Sequence, residues 1–424
     1  MSRRHRAEKR TGDAFMARLN YSLLKKYLLT LSIRRDGYSA FGQENPKASF
    51  PAAAFAWQIH NEEFFKVKSV NELKLRLSWG VNGNRDIGVY SALDKIGSNP
   101  YYNGSGTQQG VVTSTLPNAA LRWEETEALN LGLDLSMFNY RLNLTADVYQ
   151  MKTSNLLVNR SLPTITGFVD VMTNIGQLDN KGLELSISTK NIRKENFDWT
   201  SSLNFSLNRN KIKTLFGDQG KYILEGKEYY GELPEYGNKW FPGKSLDAIW
   251  DYSILGVWQK DEAAEALKYT LYPGDYKAED LDGNGKYEAL QDKKFIGYTE
   301  PRFNIGLRNE VNFLKNFSAS VFIRADLGHK RHFNPSLVDV TALDRLSTAN
   351  FPYWSPDNPT NDWPRLGFRR TAYGGGIMPY KSTSFLRVQD VSLAYNVGKE
   401  YLQALKFTSL RAFISARNLF TFDK

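Results

Sequence analysis

The sequence predicts an all-β protein, an antiparallel transmembrane β-barrel, and three observations carry that reading. Apolar and polar residues alternate with a period of two in one run after another. The runs are long, about twelve segments of roughly 9–13 residues, which exceeds the mean strand of a globular protein and suits a tilted span of a bilayer. The connections alternate between tight turns and long polar segments, the asymmetry of a membrane barrel.

In chain order, alternation begins near Phe15, Tyr27 and Phe55. Leu73, Leu75, Leu77, Trp79 and Val81 share one face, with Lys74, Arg76 and Ser78 on the other. Leu129, Leu131, Leu133, Leu135 and Met137 alternate with Asn130, Gly132, Asp134 and Ser136, and Leu142, Leu144, Ala146 and Val148 with Asn143, Thr145 and Asp147. Leu183, Leu185 and Ile187 alternate with Glu184, Ser186 and Ser188, and Leu203, Phe205 and Leu207 with Asn204, Ser206 and Asn208. Further runs start near Phe303, Phe317, Phe385 and Thr408. The leucine set is expected to face lipid, and Asn130, Asp134, Asn143, Asp147 and Glu184 the lumen. Tyr140, Tyr149, Phe197 and Trp199 near strand ends are expected in interfacial girdles. Residues 1–14 read as a basic N-terminal loop and 15–424 as barrel, with extracellular loops at 36–50, 82–122, 152–178, 210–301 and 328–383. Ala248, Trp250, Tyr252 and Ile254 also alternate, but a spanning strand there breaks the up–down parity. The stretch 248–258 is therefore expected to be a ribbon within the excursion, or a strand whose partner has been missed. A soluble sandwich, propeller or β-helix produces the same alternation, so strand length, loop asymmetry and end aromatics decide.

Composition excludes several function classes. The 424 residues contain no Cys and only 4 His, which removes disulfide scaffolds, thiolate metal sites and Cys nucleophiles. No apolar run approaches the roughly 18 residues of a membrane helix, and mean hydropathy is −0.48. The basic start, Met1 to Arg6, is not followed by an apolar signal region. The net charge of +10 is spread along the chain with no clustered basic and stacking motif, so no nucleic-acid partner is expected. Glu62-Glu63 and Glu124-Glu125 are adjacent and on strands would face opposite ways. No acid–base pair or Ser/His/Asp set emerges, and an enzyme is not expected.

Two motifs bear on ligands. Asp280, Asp282 and Asn284 occupy the first, third and fifth places of a calcium-loop pattern with Gly285 at the turn. Position twelve is Gln291, Asp292 comes one place late, and no flanking helices are expected, so a plain Asp/Asn/Gly turn stands beside a structural calcium site. Tyr229, Tyr230, Trp354 and Trp363 fall in long loops, where exposed aromatics suit stacking on substrate. The alternative is that they pack the loops onto one another. Gly104 to Gly110 lacks the spacing and the helix of a phosphate loop. His329-Lys-Arg-His332 reads as a solvated basic tip.

Several spaced blocks carry a resemblance: Arg34-Arg-Asp-Gly-Tyr-Ser-Ala-Phe-Gly42, Leu121-Arg-Trp-Glu-Glu-Thr-Glu127 with Leu131-Gly-Leu-Asp134, and Asn174-Ile-Gly-Gln-Leu-Asp-Asn-Lys-Gly-Leu-Glu-Leu185. Gly274-Asp275, Tyr353-Trp-Ser-Pro-Asp-Asn-Pro359, Phe385 to Leu393 and Arg417-Asn-Leu-Phe-Thr421 complete them. From about residue 13 onward the chain resembles the C-terminal barrel part of SusC/RagA-like TonB-linked outer-membrane proteins of Gram-negative bacteria. The resemblance implies import of glycan or peptide fragments, with a SusD-like surface lipoprotein as partner and outer-membrane lipid around the barrel. Contact with the TonB complex would come through an N-terminal part. Such barrels have about 22 strands around a plug. With about twelve strands, no plug and no closing aromatic strand end, the chain is expected to be a truncated, non-transporting part of a larger barrel. The second hypothesis is a soluble or surface-exposed β-rich glycan-binding protein.

Overall fold

The computed structural model describes residues 9–88, 90–113, 115–332, 352–365, 371–372, 375–377, 379–398, 401–402 and 407–423. Twelve long strands form one antiparallel sheet: β1 (Gly12–Leu23), β2 (Tyr27–Tyr38), β3 (Lys47–Gln58), β4 (Val70–Asn84), β5 (Glu124–Met137), β6 (Leu142–Ser154), β7 (Gln177–Lys194), β8 (Phe197–Thr214), β9 (Phe303–Phe313), β10 (Phe317–Leu327), β11 (Phe385–Asn396) and β12 (Arg411–Asp423). Their order in the sheet is their order in the chain, an up-and-down meander. The first strand starts at Gly12, inside the segment expected to be loop, and β2, β4 and β7 extend into the expected loops. No helix among the described residues is long and apolar enough to cross a membrane.

The register aligns like with like. Leu75 faces Leu133, Leu77 faces Leu131 and Trp79 faces Leu129. The row continues as Leu131–Val148–Leu183–Leu207 and Leu133–Ala146–Leu185–Phe205 across β5 to β8. Toward β1 it continues through Phe55, Leu29 and Tyr21. Leu77, Leu129, Leu131 and Val148 remain 46, 49, 49 and 54% exposed, so this face is not the dry core of a sandwich. The opposite parity is polar: Lys74 faces Asp134, Ser78 faces Asn130, and Asp147 faces Glu184.

Glycine makes two inward contacts possible. Gly132 sits between Arg76 and Asp147 in the register, and an added Cβ would collide with both side chains. Arg76 thus reaches across β5 to β6. Gly182 lies opposite Tyr149, whose ring occupies the place of its missing side chain. Tyr149 is therefore on the polar face, near Asn208, and not in the girdle expected of it. Phe197 and Trp199 do lie on the leucine-face parity at a short-turn end, 37 and 36% exposed.

Short turns close one end. Leu24 and Lys25, and Leu314 and Lys315, take left-handed φ values, the geometry that matches strand twist in two-residue hairpins. Between β3 and β4, Glu62 ties this end together. Its carboxylate accepts from Tyr27 Oη (2.6 Å), Trp57 Nε1 (2.9 Å) and Lys26 Nζ (3.0 Å). Those hydrogen bonds, led by Tyr27, hold its pKa at about 2.

The chain forms two compact units. Met1–Gly217, Gly306–Phe322 and Val391–Ala416 make the first. At the long-loop end of β2 to β5 it has a cluster of Phe41, Phe50, Ile87, Leu121 and Trp123. The Trp123 ring lies 4.9 Å from Phe41 and 5.5 Å from Phe50. Asp218–Ile305, Ile323–Asp390 and Arg417–Lys424 make the second. Its core gathers Tyr252, Val257, Trp258, Leu271, Tyr276 and Tyr287. The stretch around Trp250 finds its partners inside this unit: Ala248–Tyr252 pairs with Lys293–Tyr298, and Ile254–Val257 with Tyr276–Ala278. It is a ribbon, and sheet parity is kept.

Two outcomes are expected. Leu131→Arg should lower stability in lipid by roughly 2–4 kcal/mol, while Ser78→Arg on the polar face should change it little, measured by denaturant unfolding in vesicles. Equal tolerance at both sites would count against the assignment of faces. For Glu62 the folded pKa lies below the ordinary carboxylate value, so its stabilisation is complete above about pH 4.5 and fades as pH falls toward 2. Glu62→Gln should flatten the stability profile across that window, seen in acid unfolding curves.

Candidate functional site

Two groups of side chains stand apart from plain packing. The first is a ladder on the polar face of β4 to β6. Arg76 Nε donates to Asp134 Oδ2 at 2.9 Å and Arg76 Nη2 to Asp134 Oδ1 at 3.0 Å. Nη2 also donates to Asp147 Oδ2 at 3.0 Å, and Asn130 Nδ2 to Asp147 Oδ1 at 2.8 Å. Lys74 stands 3.8 Å from Asp134. A guanidinium shared by two carboxylates is planar, multidentate and fixed in place. Asn143, expected on this face, accepts from Ser136 Oγ at 2.9 Å. The residue types were visible in the sequence, but the partnership was not, because it depends on which rows align.

The second group lies in the body of the second unit. Asp280, Asp282 and Asp292 bring carboxylate oxygens within 4.8 Å of one another. Asp280 accepts from the N–H of Gly283 (2.7 Å) and Gly285 (2.9 Å) and from Tyr269 Oη (3.0 Å). Asp282 accepts from Asn284 N. Asn284 turns its amide back on Asp282 and Glu288, and its Oδ1 accepts from Lys286 N. Asp292 is fully buried and accepts from Leu281 N (2.8 Å) and Glu288 N (2.7 Å). The late acid therefore closes the loop onto its start. A single helical turn, Ala289–Asp292, makes this possible, where no helix was expected. Burial pushes the Asp292 carboxyl above its usual range against those two hydrogen bonds. Burial also acts upward on Asp280, but hydrogen bonds from Gly285, Tyr269 and Gly283 outweigh it and leave that carboxyl lowered.

The four aromatics separate. Trp354 is buried in the core, its indole N–H donating to Gln259 Oε1 at 2.9 Å. It fastens the segment 352–365 to the body, helped by Arg365 Nε on the fully buried Asp275 at 2.9 Å. Trp363 is half-buried beneath Lys381. Tyr229 stacks on Tyr222 across the ribbon of Gln219–Leu224 and Lys227–Glu232, while Tyr230 on the other face is 77% exposed. His329 is buried, not solvated, with Nδ1 unpartnered among the described residues. Burial lowers its pKa.

Comparison with known proteins places this architecture. Residues 2–419 match the family described as TonB dependent receptor-like, beta-barrel. The chain is 34% identical over 418 residues to TonB-dependent receptor P3 of Formosa agariphila, covering 96% of this chain and 40% of that protein. It is 31% identical over 437 residues to TonB-dependent receptor SusC of Bacteroides thetaiotaomicron, covering 99% of this chain and 41% of that protein. A solved structure of the RagAB peptide transporter has the same fold, with a TM-score of 0.75 at 24% identity over 98% of this chain and 44% of that chain. The chain thus spans about two fifths of the length of the curated relatives it matches. A twelve-strand meander with one leucine face and one charged face, matched over nearly its whole length, belongs to the TonB-dependent receptor-like β-barrel family of the outer membrane.

Proposed function

We propose that the chain is the barrel part of an importer that takes glycan or peptide fragments across the outer membrane. In this reading a SusD-like lipoprotein closes over the long loops, and the TonB complex energises the receptor. The observation that carries it is the unlike pair of faces. A belt of half-exposed leucines suits lipid, and a glycine-spaced ladder around Arg76 suits a polar passage. Similarity to SusC and to the RagAB peptide transporter supports the substrate class. A soluble glycan-binding protein would have no use for so broad an exposed leucine face.

The Asp280 loop is read as a structural calcium position. Asp280, Asp282 and Asp292 supply hard oxygen ligands of the kind calcium takes, with Asn284 shaping the turn. The cation would offset the burial of Asp292 and brace the core through Tyr269, which stacks 4.4 Å from Tyr287. Tyr230 is the aromatic best placed to meet substrate, with Tyr229 behind it.

Uptake of labelled oligopeptide or oligosaccharide by cells carrying the receptor should require both TonB and the SusD-like lipoprotein. Unchanged uptake without TonB would refute the import reading. Calcium should produce binding heat and slow proteolysis of 280–292, and Asp292→Asn should weaken binding at least tenfold. No heat and no protection in the unaltered chain would dispose of the cation.

A further inference from the structure

A further charged feature lies at the long-loop end of the first unit. Residues 10–14, the end of β2 and the segment after β4 enclose a cavity of about 610 Å³. That is the size of a small-ligand site and holds only a portion of an oligomer. Three arginines line it, Arg10, Arg34 and Arg85, and the guanidinium groups of Arg34 and Arg85 are each held from one side. Asp36 takes Nε of Arg34 with both oxygens at 2.8 Å. Among the described residues the Nη fork of Arg34 has no hydrogen-bond partner, and its side chain is 55% exposed. Arg85 lies over the Tyr38 ring at 5.2 Å, and among the described residues its guanidinium makes no hydrogen bond, its carbonyl alone accepting from Ile87 N. Both forks are oriented before any ligand arrives, and an oriented fork loses less freedom on binding.

The nearby acids define the ligand's charge. Asp36 is engaged by Arg34, and Asp13 by Lys47 at 3.0 Å. Asp86 remains on the lining, exposed. Three lining arginines match three lining carboxylates, and Lys47 on Asp13 leaves one positive charge over, which suits one planar monoanion and not a dianion. Arg85 covers the Tyr38 ring, so that face is closed to sugar stacking.

We infer that this cavity is a carboxylate-binding subsite, in which Arg34 and Arg85 grip a carboxylate of the cargo by bidentate hydrogen bonds. The carboxylate has two sources, an acidic or C-terminal residue of a peptide and a uronic acid of a glycan. The inference rests on the import reading, in which cargo enters at the long-loop end.

The test uses the full 424-residue chain in detergent micelles, with heat-modifiable migration as the check of folding. The probes are triglutamate and trigalacturonate, with triglutamine and maltotriose as neutral counterparts. At least one acidic probe should bind tenfold or more tightly than its neutral counterpart, and more weakly as salt rises; which one does so identifies the source. Arg34→Gln should weaken that binding at least tenfold. Arg85→Lys, which keeps the charge and loses the fork, should weaken it at least fivefold, and Lys66→Gln, exposed between β3 and β4 at the short-turn end, should not. Equal binding of acidic and neutral probes, no binding of either acid, or acid binding unchanged in Arg34→Gln with Arg85→Lys would overturn the subsite. Loss of TonB-dependent uptake with carboxylate binding intact would count against the import reading alone.

Discussion

The structure depends on one constraint, the strand register that keeps two unlike faces apart. Strands alternate sides at every residue, so a slip of one place moves a whole set across the sheet. Here a slip between β4 and β5 would bring Arg76 and Lys74 among the leucines. In lipid that costs several kcal/mol per charge, and backbone groups left unpaired there add more. Arg76 fixes the register positively as well. It faces Gly132 and reaches over it to Asp147, joining three strands by one guanidinium. The absent Cβ of Gly132 is the condition for that bridge.

Outside the strands the same chain solves a different problem. Long connections carry backbone groups and aromatic surface that need partners. In the first unit Trp123, Phe41 and Leu121 gather the loops, and Gly42 donates its N–H to Leu121 O at 2.8 Å. Asn174 receives Arg122 N–H and donates to the carbonyls of Arg122 and Asn155. These residues belong to the blocks that carry the family resemblance. In the second unit Asp275, Arg365, Gln259 and Trp354 do the equivalent work.

The strands were legible because period-two alternation is imposed locally by the two solvents on either side of the sheet. The twelve runs and their order could be read residue by residue. What could not be read depends on distant rows. Tyr149 looked like a girdle residue by position, but Gly182 on the next strand receives its ring. The partners of the 248–258 stretch lie 19 to 50 residues away within the same unit, separated by turns without period. Stacking on substrate and packing of loops are both readable from the sequence around Trp354, and the choice for packing depends on Gln259, nearly a hundred residues earlier. Asp292 counted as one place late on a linear template, and a short helical turn brings it back to Asp280.

The central claim is that residue parity along β4 to β8 separates lipid from water. Because the chain has no cysteine, single cysteines carrying a spin label can report each site without background. Labels at positions 129 to 135 and 183 to 187 in vesicles should alternate. Leu131, Leu133 and Leu185 should be reached by oxygen from the lipid, and Asn130, Asp134 and Glu184 by a water-soluble relaxing agent. A series without alternation, or leucine positions shielded from both agents as in a dry two-sheet core, would contradict the account.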